Sequence, residues 1–113
     1  MTLPLFFPTR AHLLVCVGPQ CGKRGSREVL ARANAELEAG KLAYYTEGGS
    51  IRLTATSCLG ACAHGPNLTA YYGDTGGSLA EAWYAGVDSA GVKEIAEALH
   101  EGREPPPKGR YDR

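Results

Sequence analysis

His12-Leu13-Leu14-Val15-Cys16-Val17-Gly18-Pro19-Gln20-Cys21-Gly22-Lys23-Arg24-Gly25-Ser26-Arg27-Glu28-Val29-Leu30 is the stretch on which the fold turns. Four residues of mostly apolar character, His12 to Val15, run into Cys16, which is the pattern of a short buried strand. A Gly/Pro-marked loop follows and contains a second cysteine, Cys21. Ser26 then offers a hydroxyl of the kind that caps a helix, and Glu28 stands in the first turn, where the helix dipole favours a negative charge. Leu30, Ala33 and Leu37 continue as an apolar stripe at helical spacing, and Gly40 suits the stop. One segment thus encodes strand, cysteine loop and helix.

Working outward, Ile51, Leu53 and Ala55 alternate with Arg52, Thr54 and Thr56, which reads as a strand with one wet face. Cys58 to Pro66 is a second Gly/Pro-marked loop with a cysteine pair. Leu68-Thr69-Ala70-Tyr71-Tyr72 is a strand, Gly73-Asp74-Thr75-Gly76-Gly77 a turn, and Ala82-Trp83-Tyr84 the next strand. Asp88 caps a last helix with the stripe Val92, Ile95, Ala96 and Leu99, ending at Gly102. The order is β-α-β-β-β-α. The expected class is α/β, thioredoxin-like, with a mixed central sheet and helices packed on it. If the first two strands are parallel, their crossover should be right-handed.

The chain of 113 residues is one domain's worth, able to bury roughly 60–70% of its unfolded surface. Its 43% hydrophobic and 21% charged residues are an ordinary globular balance. Twelve basic and twelve acidic side chains cancel, so no global field attracts nucleic acid or anionic lipid. No stretch reaches the ~18 apolar residues of a membrane span, and Pro4 and Pro8 interrupt the apolar run Leu3 to Phe7. The expected location is cytoplasmic, where disulfides are uncommon and four cysteines point to a metal, a cluster or redox chemistry. Residues 1–10 read as an N-terminal arm, 11–102 as the folded domain, and 103–113, with Pro105-Pro106-Pro107, as a proline-rich charged tail.

The cysteines fall as Cys16-x4-Cys21 and Cys58-x3-Cys62, with 36 residues between the pairs. Both pairs follow strands, and loops at the carboxyl ends of strands form the functional edge of an α/β sheet. Parallel neighbouring strands would bring the pairs to one end. Structural zinc tolerates ligands two to four residues apart, so zinc stays open, although the commonest C-x2-C knuckle is absent. The bacterial [4Fe–4S] run is absent too. The plant-type C-x4-C-x2-C pattern matches the first interval and then meets Arg24 in place of the third cysteine. A Rieske centre would need two histidines, and only His64 lies near a pair. No C-x-x-C redox motif occurs, and four cysteines allow three disulfide pairings with nothing to choose among them.

Residues 16–30 and Cys58-Leu59-Gly60-Ala61-Cys62-Ala63-His64-Gly65-Pro66 closely resemble the thioredoxin-like [2Fe–2S] ferredoxins, a family that includes stand-alone carriers and the small iron–sulfur subunit of respiratory complex I. Cys-Leu-Gly-Ala-Cys looks like the complex I subunit. The stretch from Cys21 to Val29 and Trp83-Tyr84-Ala85-Gly86-Val87 look like the stand-alone proteins. The resemblance, over roughly residues 11–102, implies that Cys16, Cys21, Cys58 and Cys62 hold one [2Fe–2S] cluster. It also implies a one-electron carrier rather than an enzyme, passing electrons between protein donor and acceptor, and a homodimer. Two rivals stand beside it: a structural or regulatory zinc module, and the iron–sulfur subunit of a larger NAD-linked oxidoreductase. The chain departs from many stand-alone members in its short first loop. It also departs from the complex I subunit, whose N-terminal helical region has no counterpart in residues 1–10.

A four-thiolate cluster is anionic, so the free N–H groups at the start of the helix near Ser26 suit it. Gly18, Gly22, Gly25, Gly60 and Gly65 allow close backbone approach to the cluster sulfurs. Lys23, Arg24 and Arg27 form the one local basic patch, expected to moderate the cluster's charge or to dock an acidic partner. Trp83, Tyr71 and Tyr72 are expected in the core or at a dimer contact. No hydrolytic triad, phosphate loop or dinucleotide fingerprint is present.

Overall fold

The computed structural model describes residues 9–18, 25–46, 48–56, 66–73 and 79–112. Strand β1 (Ala11–Cys16) leads to helix α1 (Ser26–Ala39), followed by β2 (Ile51–Thr56), β3 (Leu68–Gly73), β4 (Leu79–Tyr84) and helix α2 (Ser89–His100). This is the expected β-α-β-β-β-α order. The sheet runs β2-β1-β3-β4. β1 is parallel to β2 and antiparallel to β3, and β3 is antiparallel to β4, so the sheet is mixed.

The alternation of β1 decides which face is core. Ala11, Leu13 and Val15 pair with Ile51, Leu53 and Ala55 on one side and with Tyr72, Ala70 and Leu68 on the other. This face meets Ala33 and Leu37 of α1 and Val92, Ile95, Ala96 and Leu99 of α2 in one buried cluster. The expected stripes therefore make the core, with Leu30 only partly buried at its margin. The intervening residues His12, Leu14 and Cys16, with Arg52, Thr54, Thr69, Tyr71 and Trp83, lie on the other face. Among the described residues no helix covers that face.

Three local expectations change. Ser26 does not cap α1. Gly25 does, at φ 86°, and Ser26 is the first helical residue with its side chain fully buried. A left-handed backbone at this cap favours glycine over serine. β4 begins at Leu79 rather than Ala82, because backbone pairing with β3 continues past the apolar run, with Gly73 opposite Leu79. Helix α2 ends at His100, and Gly102, at φ 76°, lies beyond it. Asp88 caps α2 as expected, its Oδ1 accepting the Gly91 N–H at 2.7 Å. The first eight residues of the arm and the expected turn over 74–77 lie outside the described residues.

On the helix-free face, Nε2 of His12 and Oγ1 of Thr54 are 2.8 Å apart. Burial, and then the Arg52 guanidinium, push the His12 pKa below its usual 6.5. A depressed histidine pKa favours the neutral ring in the folded state. Its contribution is therefore complete above pH 6.5 and is lost as pH falls through the lower folded value. The denaturation midpoint of the protein should drop between pH 7.5 and pH 5, and His12→Gln should flatten part of that drop; equal slopes for the two proteins would contradict this.

Candidate metal centre

Cys16 is the last residue of β1, and its thiol-bearing side chain is fully buried. Its register partner in the parallel neighbour is Thr56, the last residue of β2. The two strands therefore end together, as the parallel pairing of the sequence reading requires. Two backbone hydrogen bonds lock this edge. The Val17 N–H donates to the Thr56 carbonyl at 2.7 Å, and the Cys16 N–H donates to the Asn67 carbonyl at 3.0 Å. Thr56 is where the chain departs toward Cys58 and Cys62, and Pro66-Asn67 is where it returns. Cys16 sits between the departure and the return.

Cys21, Cys58 and Cys62 lie outside the described residues. In sequence, Cys58 is two residues past Thr56 and Cys62 is four residues before Pro66. Cys21 is tethered at both ends, three residues after Gly18 and four before Gly25. Gly25 opens α1, whose first N–H groups have no intrahelical partner. Of the four cysteines, Cys16 is the one the described residues place, at the carboxyl end of the β1–β2 pair. The residues that flank the Cys58–Cys62 segment, Thr56 and Asn67, are bonded on either side of the end of β1.

The donor chemistry fits an iron–sulfur group. Thiolates are soft ligands suited to zinc or to Fe–S clusters. The free N–H groups at a helix start favour an anionic group. Ser26 Oγ is buried in the first turn of α1 without a hydrogen-bond partner among the described residues. No group of three His, Cys, Asp or Glu side chains gathers elsewhere among the described residues to offer a rival site.

The sequence profile of the thioredoxin-like [2Fe–2S] ferredoxins matches residues 7–100. The chain belongs to this family. Solved structures agree. The wild-type thioredoxin-like [2Fe–2S] ferredoxin from Aquifex aeolicus superposes with a TM-score of 0.69 at 28% identity, covering 93% of this chain and 99% of that one. Two cysteine-to-serine variants of the Aquifex protein align at 29% identity, each covering 91% of this chain and 99% of the other, with TM-scores of 0.67. The thioredoxin-like fold and the [2Fe–2S] cofactor of the family are both as the resemblance implied.

The sequence reading missed the Asn67 carbonyl as an anchor for Cys16. The one available signal was an asparagine directly after Gly65-Pro66 and before an apolar strand, and Asn67 is indeed buried at 1% exposure. Of the basic patch, Arg27 is exposed in the first turn of α1, while Lys23 and Arg24 lie outside the described residues.

Proposed function

We propose that this ferredoxin-family chain carries a single [2Fe–2S] cluster on Cys16, Cys21, Cys58 and Cys62 and works as a one-electron carrier between protein partners. The observation that carries the reading is the paired lock on β1: the Thr56 carbonyl on one side and the Asn67 carbonyl on the other hold Cys16 between the two ends of the segment bearing Cys58 and Cys62. When bound, the cluster supplies a one-electron couple. The protein's part is positional and electrostatic. β1 fixes the position of Cys16, and the free N–H groups at the start of α1, whose cap Gly25 is four residues after Cys21 in sequence, suit the negative charge that four thiolates would gather. Arg27, exposed in the first turn of α1, adds a positive charge to that helix start.

The alignment spans 99% of the Aquifex chain, so the likeness is to a whole carrier protein. That favours a stand-alone carrier over a subunit of an NAD-linked oxidoreductase. No described helix is long and apolar enough to cross a membrane, and a homodimer is the state we infer from the resemblance. Anaerobic purification should give a red-brown protein containing iron and sulfide in equal amounts, about two of each per chain. Its sedimentation mass should be twice the 12.0 kDa of the chain. One zinc per chain without sulfide would replace the carrier with a zinc module.

A further inference from the structure

Residues 101–113 fall outside the stretch matched by the family profile, yet the chain from Pro106 to Asp112 is docked rather than trailing. β4 is an edge strand of the sheet, with one side unpaired by the others. The end of the chain pairs with that side. The Ala85 N–H donates to the Gly109 carbonyl, and the Tyr111 N–H donates to the Trp83 carbonyl, both at 2.9 Å, with Tyr84 and Arg110 as antiparallel bridge partners. The buried Tyr84 hydroxyl donates to the Pro106 carbonyl at 2.7 Å.

Side chains lock this pairing. Arg110 Nε donates to Asp112 Oδ1 at 2.7 Å, with the two side chains only 8% and 21% exposed. The Arg110 guanidinium also donates to the Glu81 carbonyl at 3.2 Å, and Asp112 Oδ1 accepts the Trp83 N–H at 3.2 Å. Gly109 is required by its backbone, at φ 80°, and by space, because a Cβ there would stand 3.0 Å from the Ala85 carbonyl oxygen.

The docked segment holds the strand end at Ala85, and Val87 follows two residues on. Its N–H bonds the Pro66 carbonyl at 3.0 Å. Pro66 is followed by Asn67, whose carbonyl accepts the Cys16 N–H. A continuous run of backbone bonds therefore links the C-terminal segment to both the return of the Cys58–Cys62 segment and the strand end that carries Cys16. We propose that residues 106–112 are a strap that positions this edge, fixing Pro66-Asn67 against Cys16 and so slowing loss of the bound cluster. The consequence for the cluster rests on the function proposed above; the positioning itself does not.

The test uses the holoprotein as purified, with hydrogen exchange and chelator challenge run on the full chain, on a truncation after Glu104 and on Gly109→Ala. Exchange at Ala85 and Trp83 must rise in the truncation, because their acceptors are gone. The strap predicts more: exchange at Val87 and Cys16 should rise about tenfold in both variants, as expected from losing two or three hydrogen bonds of ordinary strength. α1 and α2 should stay protected. Iron release to a chelator should quicken severalfold. Unchanged exchange at Val87 and Cys16 beside the loss at Ala85 and Trp83 would overturn the strap. So would a uniform rise through both helices, which would mark general destabilisation. If the protein carries zinc instead, the carrier reading fails while faster exchange at Val87 and Cys16 still upholds the strap.

Discussion

Cys16→Ala should yield a folded protein with at least a tenfold lower iron and sulfide content and no red-brown colour. The argument rests on where Cys16 is. Among the described residues it is the cysteine placed on a strand, fully buried and held by backbone bonds to Asn67 at its own N–H and to Thr56 one residue later. No described histidine or carboxylate gathers near enough to form a substitute ligand set. Changes to outer-shell groups already reduce metal affinity by about 10–100-fold, and loss of a ligand should do at least as much. Alanine is the informative replacement, since serine retains an oxygen that can bind iron. Removing one buried sulfur should cost the fold only about 1 kcal/mol, so circular dichroism should retain both helices. Cys21→Ala, Cys58→Ala and Cys62→Ala should lose the cluster in the same way. Full absorbance and iron content in Cys16→Ala would remove it from the ligand set.

The fold was readable wherever a side-chain pattern reports directly on packing. Val92, Ile95, Ala96 and Leu99 recur at helical spacing because one face of α2 meets the sheet, and Asp88 announces its start through a side-chain acceptor. The alternation in Ile51–Thr56 reports the packing only at its start: Ile51 is buried and Arg52 exposed, but Ala55 is exposed while Thr54 and Thr56 are half-buried, because β2 is an edge strand. Features made by backbone alone left no such trace. The early start of β4 is a run of main-chain pairing that includes Leu79, 76% exposed, and Glu81, residues with no apolar burden to reveal it. A hydroxyl such as that of Ser26 is the usual helix cap, whereas here Gly25 supplies the turn through its own φ. Pro105-Pro106-Pro107 reads as an extended tail. Its docking depends on Tyr84 and Trp83, more than twenty residues earlier, and local sequence cannot report that. The site divides along the same line. Four cysteines at distinctive intervals are visible in the sequence, but the Thr56 and Asn67 carbonyls that frame Cys16 act through main-chain atoms that every residue type shares.

The centre of that frame is Leu13. It is fully buried in β1, between Leu53 of β2 and Ala70 of β3, and belongs to the cluster that includes Ala33, Leu37, Val92, Ile95 and Ala96. Truncating it leaves a cavity bounded by two neighbouring strands, which cannot shift without breaking their pairing, so the space should not collapse. Leu13→Ala should therefore lose about 3 kcal/mol, within the range for buried leucine truncations. Against a total stability of about 5–15 kcal/mol this is a large fraction, and it should lower the melting temperature by roughly 10 °C or more. Leu79→Ala, on a side chain 76% exposed, should change stability by less than about 0.5 kcal/mol. Urea unfolding of both variants, with the metal group bound and removed, separates packing from metal binding. A bound group stabilises the native state by mass action, and that increment does not depend on Leu13 if affinity is unchanged. The loss should then be equal in the two forms. A loss below about 1 kcal/mol would mean that β1 is not the packed centre of the domain. A larger loss in the metal-bound form would mean that Leu13 also holds the Cys16 end of the strand in its ligating position.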